Sequence, residues 1–296
     1  MSFLTDSNKD VNGLESPEMA REKAAKTLVS KMTELAVLPH VVFKVLEISG
    51  STDSAASEME QAITIDPGFS AKVLTYANSS HLALSRKVTS IRDAIVYLGF
   101  KAVRETAMTV GVFDMFVGKN DKESLRRRAW WRHSVDTGVS CRYIAELTKK
   151  LDPAEAYTCG LLHYIGKTLL DRFGAEDYEV VEKRVAVGSS DLEAELRTYG
   201  CTHEDVADAA GKQWGLPASV VESFRYTVPQ PREGGTVRYS SCVALGSAMA
   251  NMYLQGSGDC EKLPEWALEE LEIERSEAHA LFERTVEKIA AAAQAS

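Results

Sequence analysis

Long apolar runs are absent from this 296-residue sequence. No stretch nears the roughly 18 consecutive apolar residues that a membrane-spanning helix needs. The opening MSFLTDSNKD has no basic region followed by an apolar one, so a secretory leader is not expected. Cysteine is scarce: Cys141, Cys159, Cys201, Cys242 and Cys260 are odd in number and form no C-x-x-C pair. That pattern excludes a disulfide framework and fits reduced thiols in a cytoplasm. Basic residues are outnumbered, 34 Lys and Arg against 43 Asp and Glu, and the net charge of −9 opposes binding to phosphate backbones. Sustained period-two alternation is missing too, so half-buried strands are excluded. What is there, 45% apolar and 26% charged residues, is ordinary globular composition with ample material for a core. The length suggests about two domains.

The pattern predicts helices nearly throughout. Residues 1–16 are polar and unpatterned and read as a flexible tail. Ser16-Pro17-Glu18 supplies an N-cap, a proline in the first turn and an acid at the positive helix end, opening a helix expected to run to about Leu35. HVVFKVLEI follows as a short helix. Asp66-Pro67 repeats the start signal, and TSIRDAIVYLG places Ile91, Ala94, Ile95 and Leu98 at helical spacing. A longer helix is expected from Lys101 to Phe116. Gly118-Lys119-Asn120-Asp121 is polar and turn-prone, so residues 17–118 and 122–296 read as two helical lobes. Helices are expected near 122–149, 153–171, 176–187, 190–199, 203–214, 217–226, 237–254 and 275–293.

The second half carries the residues with chemistry. On the helix after Asp121, Leu125, Ala129, His133, Asp136, Ser140, Ile144 and Leu147 form a stripe that points His133 inward. On the next, Ala156, Gly160, His163, Lys167 and Leu170 share a face, with Gly160 and Gly166 allowing close approach by a neighbour. On a third, His203, Ala207, Ala210 and Trp214 align. Three inward histidines from three helices could converge as bundle metal sites do. The plainer reading is core histidines with hydrogen-bond partners, and Asp136 is a ready partner for His133.

LPHVVFKVLEIS, IDPGFSAKVLTYANSS and KVTSIRDAIVYLGFKAVRE, then W-x-H-S at Trp131 to Ser134, GLLHYIGK at Gly160 to Lys167 and HEDVADAAGKQWGLP at His203 to Pro217, resemble the HDOD family. These are HD-related output domains of bacterial signalling proteins. The resemblance covers roughly residues 30 to 230. It implies an all-α fold, an N-terminal helical bundle packed on an HD-phosphohydrolase-like half. It also implies what the histidines once were. In catalytic HD relatives, histidines matching His133 and His163 bind metal, together with an aspartate directly after the second, and the ion activates water. Tyr164 stands in that aspartate's place, and a phenol is a poor substitute for a carboxylate ligand. Arg225-Tyr226 stands where HD-GYP phosphodiesterases carry a histidine pair, and a cation there would repel a divalent ion. Gly246 aligns with a further aspartate. Lys167 matches a lysine near the phosphate, and without a metal it reads equally as a lysine near an exposed helix edge.

The expected function is therefore non-catalytic signal transduction by a cytoplasmic protein that binds a signalling protein or a small ligand. His133, His163, Tyr164, Lys167 and His203 are the candidate pocket. No cofactor is expected. The alternatives are a metal-dependent phosphohydrolase or phosphodiesterase holding a divalent ion on His133, His163 and His203, and a nucleic-acid-associated regulator. The second draws only on the run Arg126-Arg127-Arg128 beside Trp130-Trp131, which reads more simply as a solvated helix face.

Overall fold

A computed structural model of the chain describes residues 16–31, 40–48, 52–78, 87–118, 120–229 and 237–294. Most of the expected tail and much of the loop before Tyr239 lie outside these residues. Among the described residues all regular structure is helical, with no strand. The α-helices are α1 (Pro17–Ser30), α2 (His40–Glu47), α3 (Thr52–Thr64), α4 (Pro67–Ala77), α5 (Ile91–Leu98), α6 (Phe100–Phe113), α7 (Asp121–Thr148) and α8 (Pro153–Leu162). They continue as α9 (Ile165–Phe173), α10 (Glu179–Ala186), α11 (Asp191–Tyr199), α12 (His203–Gln213), α13 (Ala218–Ser223), α14 (Tyr239–Leu254), α15 (Glu265–Leu271) and α16 (Ala278–Gln294).

Several starts follow directly from side-chain chemistry. Ser16 Oγ accepts from the Met19 amide at 3.3 Å, with Pro17 at the first helical position. Asp66 accepts from Gly68 and Phe69 at 2.8 and 3.0 Å, and Asp152 from Ala154 and Glu155 at 3.0 Å each. Thr202 and Asp205 close a capping box at the head of α12.

Two compact units result, each drawn from two stretches of chain: residues 1–37 with 165–214, and residues 38–164 with 215–296. The boundary expected at Gly118 to Asp121, of which Lys119 lies outside the described residues, precedes α7, and the elements on both sides of it belong to the second unit. In the second unit α7 is the central rod, packed by α8, α14 and α16. Gly160 makes the α7–α8 approach possible, since a Cβ there would stand 2.8 Å from the Gly138 Cα. In the first unit α12 packs against α1 and α9. A Cβ on Gly166 would lie 1.9 Å from the His203 carbonyl oxygen, so α9 and the head of α12 meet backbone to backbone.

The expected helix 153–171 is two helices. α8 ends at Leu162, and α9 begins at Ile165. The His163 ring bonds the Gly160 carbonyl at 2.6 Å, competing for the acceptor that would carry the helix through Tyr164. His163 and Lys167 consequently do not share one helix face. α1 stops at Ser30, short of the expected Leu35, and the expected helix from Lys101 narrows to a 3-10 turn after Phe113.

Candidate functional site

In the second unit, three of the five candidate residues come together. His133 lies midway along α7, His163 caps α8 and Tyr164 follows it. The His133 and His163 ring centroids are 5.1 Å apart, and Tyr164 sits 4.6 Å from the first and 4.1 Å from the second. Tyr226 closes the group, its ring edge-on to His163 at 5.2 Å. These are the spacings of rings in mutual contact. His133 is 3% exposed and His163 0%.

One nitrogen of each ring has a definite hydrogen-bond partner. Because a carbonyl only accepts, His163 must donate from Nδ1 to Gly160, which fixes the proton on that nitrogen. His133 Nε2 lies 3.1 Å from Ser247 Oγ and 3.4 Å from Thr137 Oγ1. Asp136, expected as the partner of His133, turns instead to Arg132, whose Nε reaches both carboxylate oxygens at 2.9 and 2.8 Å. The guanidinium is a charged partner one turn away, stronger than a neutral imidazole. Burial still outweighs Arg132 and pushes the Asp136 carboxyl up to about 6.

Gly246, which aligns with a further aspartate of catalytic relatives, packs against α7 at Cys141. A Cβ there would lie 2.7 Å from Cys141 Sγ, and it is the next residue, Ser247, that reaches His133. Tyr226, not Arg225, is the member of its pair against His163. Sequence reading had no signal for Ser247, since a serine on a mostly apolar helix is ordinary.

The first unit holds the other two candidates. Lys167 is 4% exposed and bonds Asp191 Oδ2 at 2.7 Å, contrary to the reading of a lysine at an exposed edge. Gly166 draws α9 so close to α12 that this segment is buried. His203 donates twice to Glu195 Oε2, from its backbone nitrogen at 2.8 Å and from Nδ1 at 2.7 Å, while Tyr178 OH donates to Oε1 at 2.6 Å. Glu195 is wholly buried. Burial alone would raise its pKa, but the charge and hydrogen bond of His203, the Lys167 charge and the Tyr178 hydroxyl together hold it below the usual carboxylate range. Glu195 went unnoticed in the sequence because an acid eight residues from a histidine, on another helix, reads as a solvated side chain.

A divalent ion needs anionic or lone-pair donors aimed at one point. Around His133 and His163 the added groups are the hydroxyls of Ser247 and Thr137 and the phenols of Tyr164 and Tyr226, and the carboxylate of Asp136 is held by Arg132. Among the described residues no group of three or more His, Cys, Asp and Glu side chains is arranged to hold a metal. The carboxylate that the family resemblance places directly after the second histidine has no counterpart in this donor set, where Tyr164 stands.

Two of the three arginines of the basic run are buried, against the reading of a solvated face. Arg127 is 1% exposed, bonding the Val117 carbonyl at 2.9 Å and pairing with Glu123 at 3.3 Å, and Arg126 is buried as well, while Arg128 is exposed. Among the described residues no helix is long and apolar enough to cross a membrane.

An all-helical protein is what this architecture defines, and comparison with known proteins narrows it. The HDOD domain model matches residues 35–228. The chain belongs to the HDOD family. An HDOD domain protein of unknown function from Geobacter sulfurreducens is similar at 24% identity, with a TM-score of 0.78 over 93% of this chain and 98% of that one. A Shewanella amazonensis SB2B protein, named by inference as a phosphohydrolase, is similar at 20% identity and a TM-score of 0.71, covering 94% of this chain and 100% of its own. Both likenesses speak to the fold. An uncharacterized Treponema pallidum (strain Nichols) protein is 21% identical over 254 residues, 82% of this chain, which spans about half of that relative's length, 47%.

Proposed function

We propose that this protein transmits a signal by binding a partner, without hydrolysing a phosphate ester. The observation that carries the reading is the ring cluster of His133, His163, Tyr164 and Tyr226, which brings phenols and no carboxylate to the two histidines. Hydrolysis of the HD kind needs an ion to generate hydroxide near neutral pH and to stabilise charge on the phosphoryl oxygens. Rings in contact supply neither. They supply rigidity, tying α7, the end of α8 and the segment after α13 into one body that can present a surface. Signalling proteins are the expected partners and a small ligand the alternative. The reduced thiols fit a cytoplasmic setting. Metal loading tests the reading. Protein incubated with zinc, manganese or iron, then desalted and subjected to elemental analysis, is expected to retain no stoichiometric ion. One ion per chain, lost in His163→Ala, would overturn it.

A further inference from the structure

The first unit carries a groove of about 400 Å³ between α1 and the α9 and α11 ends. Its floor is the face of α1 that bears Ala20, Ala24 and Leu28, and its wall is made by Phe173 and Tyr199. The wall is held firmly. Tyr199 OH donates to the Glu176 carbonyl at 3.0 Å, and its ring stacks on Tyr178, which is itself bonded to the buried Glu195. Among the described residues its charged lining is Lys23 and Lys31, with no acid. The Arg172 guanidinium adds a further cation over the Phe173 ring, 5.9 Å from its centroid. In a chain of net charge −9, a groove whose charged lining is cationic runs against the average charge.

We infer that this groove docks an acidic amphipathic segment of a partner protein. The inference rests on the binding function proposed above and names the chemistry of the partner. Small residues on the floor leave room for an inserted side chain, and Phe173 and Tyr199 offer flat apolar contact at little entropic cost. The lysines fix the charge pattern. Lys23 and Lys31 stand eight residues apart, about 12 Å along the helix axis. The partner therefore carries two acids about four residues apart if extended, or about eight apart if helical, with an aromatic or aliphatic residue between them. Complementary charge selects the partner and steers its approach, and the apolar insertion slows its release.

The test uses the full chain and a panel of fluorescent 15-residue peptides that vary net charge and the spacing of acids around a central Phe or Leu, read by anisotropy. Binding is expected for peptides with the stated acid spacing and not for their Lys-for-Glu counterparts. The double variant Lys23→Glu, Lys31→Glu is expected to weaken binding about tenfold or more, two ion pairs becoming repulsions, with its thermal midpoint unchanged. The same reversal at Lys183, which does not line the groove, should leave affinity as it was. Absence of binding, equal binding of the charge-reversed peptides, an equal loss in Lys183→Glu, or association with phosphatidylglycerol vesicles alone would each overturn the inference. None of these outcomes bears on metal retention or turnover, which test the proposed function separately.

Discussion

Replacing Glu195 probes the first unit at its most committed point. The carboxylate is fully buried and receives the His203 amide at 2.8 Å, the His203 ring at 2.7 Å and the Tyr178 hydroxyl at 2.6 Å. Glu195→Ala removes both acceptor oxygens and with them three hydrogen bonds, and leaves an amide, an imidazole and a hydroxyl buried without that partner. Breaking a buried pair in this way costs about 3–5 kcal/mol. Glu195→Gln retains an acceptor oxygen but not the charge, so its cost should be smaller, roughly 1–3 kcal/mol. The pH dependence carries a definite sign. Because the folded pKa is depressed below the ordinary glutamate value of 4.5, the unfolded chain binds the proton more readily in the window beneath that value. The contribution is present above the unfolded pKa and is lost as pH falls through the folded one. Urea unfolding followed by far-UV circular dichroism, at steps from pH 7 to pH 3, should show wild type and Glu195→Gln far apart at neutral pH and converging in acid. An Ala variant as stable as wild type, or a gap that widens as pH falls, would refute the role given to this carboxylate.

Other outcomes follow from the same packing. Gly246→Asp, which places a side chain against Cys141, should destabilise by about 1–3 kcal/mol in thermal unfolding and confer no metal binding. Ser247→Ala should cost about 1 kcal/mol through the lost His133 contact, read by the same method. The Asp136 carboxyl should titrate at about 6 by carbon-13 NMR, and higher still in Arg132→Ala, where the opposing cation is gone. Four of the five cysteines are buried, so a thiol reagent should modify Cys260 alone in the native protein and all five in denaturant.

Helix starts were legible where a capping side chain and a proline coincide, as at Ser16-Pro17, Asp66-Pro67 and Asp152-Pro153, because one short motif satisfies the first amides. α3 escaped notice since TDSAASEMEQAIT is mostly small and polar, with too little apolar contrast to show a period. The break after α8 was hidden for a different reason. GLLHYIGK keeps helical spacing across it, and what stops the helix is a bond from a side chain to the backbone. His133, His163 and Tyr164 could be picked from the family resemblance, and their contact confirms that they belong to one place. Lys167 and His203 were picked the same way, yet their immediate partners, Asp191 and Glu195, come from α11, which no motif singles out. Long-range pairs of this kind depend on tertiary contact and leave no local trace.

Turnover tests the central claim most directly. Purified protein would be assayed for phosphate release from p-nitrophenyl phosphate and for cleavage of bis-p-nitrophenyl phosphate and a cyclic dinucleotide, with magnesium, manganese or iron supplied. No hydrolysis above a metal-only control is expected, in wild type or in Tyr164→Asp, because Arg132 still holds Asp136 and the positions of Arg225 and Gly246 still supply no ligand. Metal-dependent hydrolysis by the wild type that disappears in His163→Ala would contradict it.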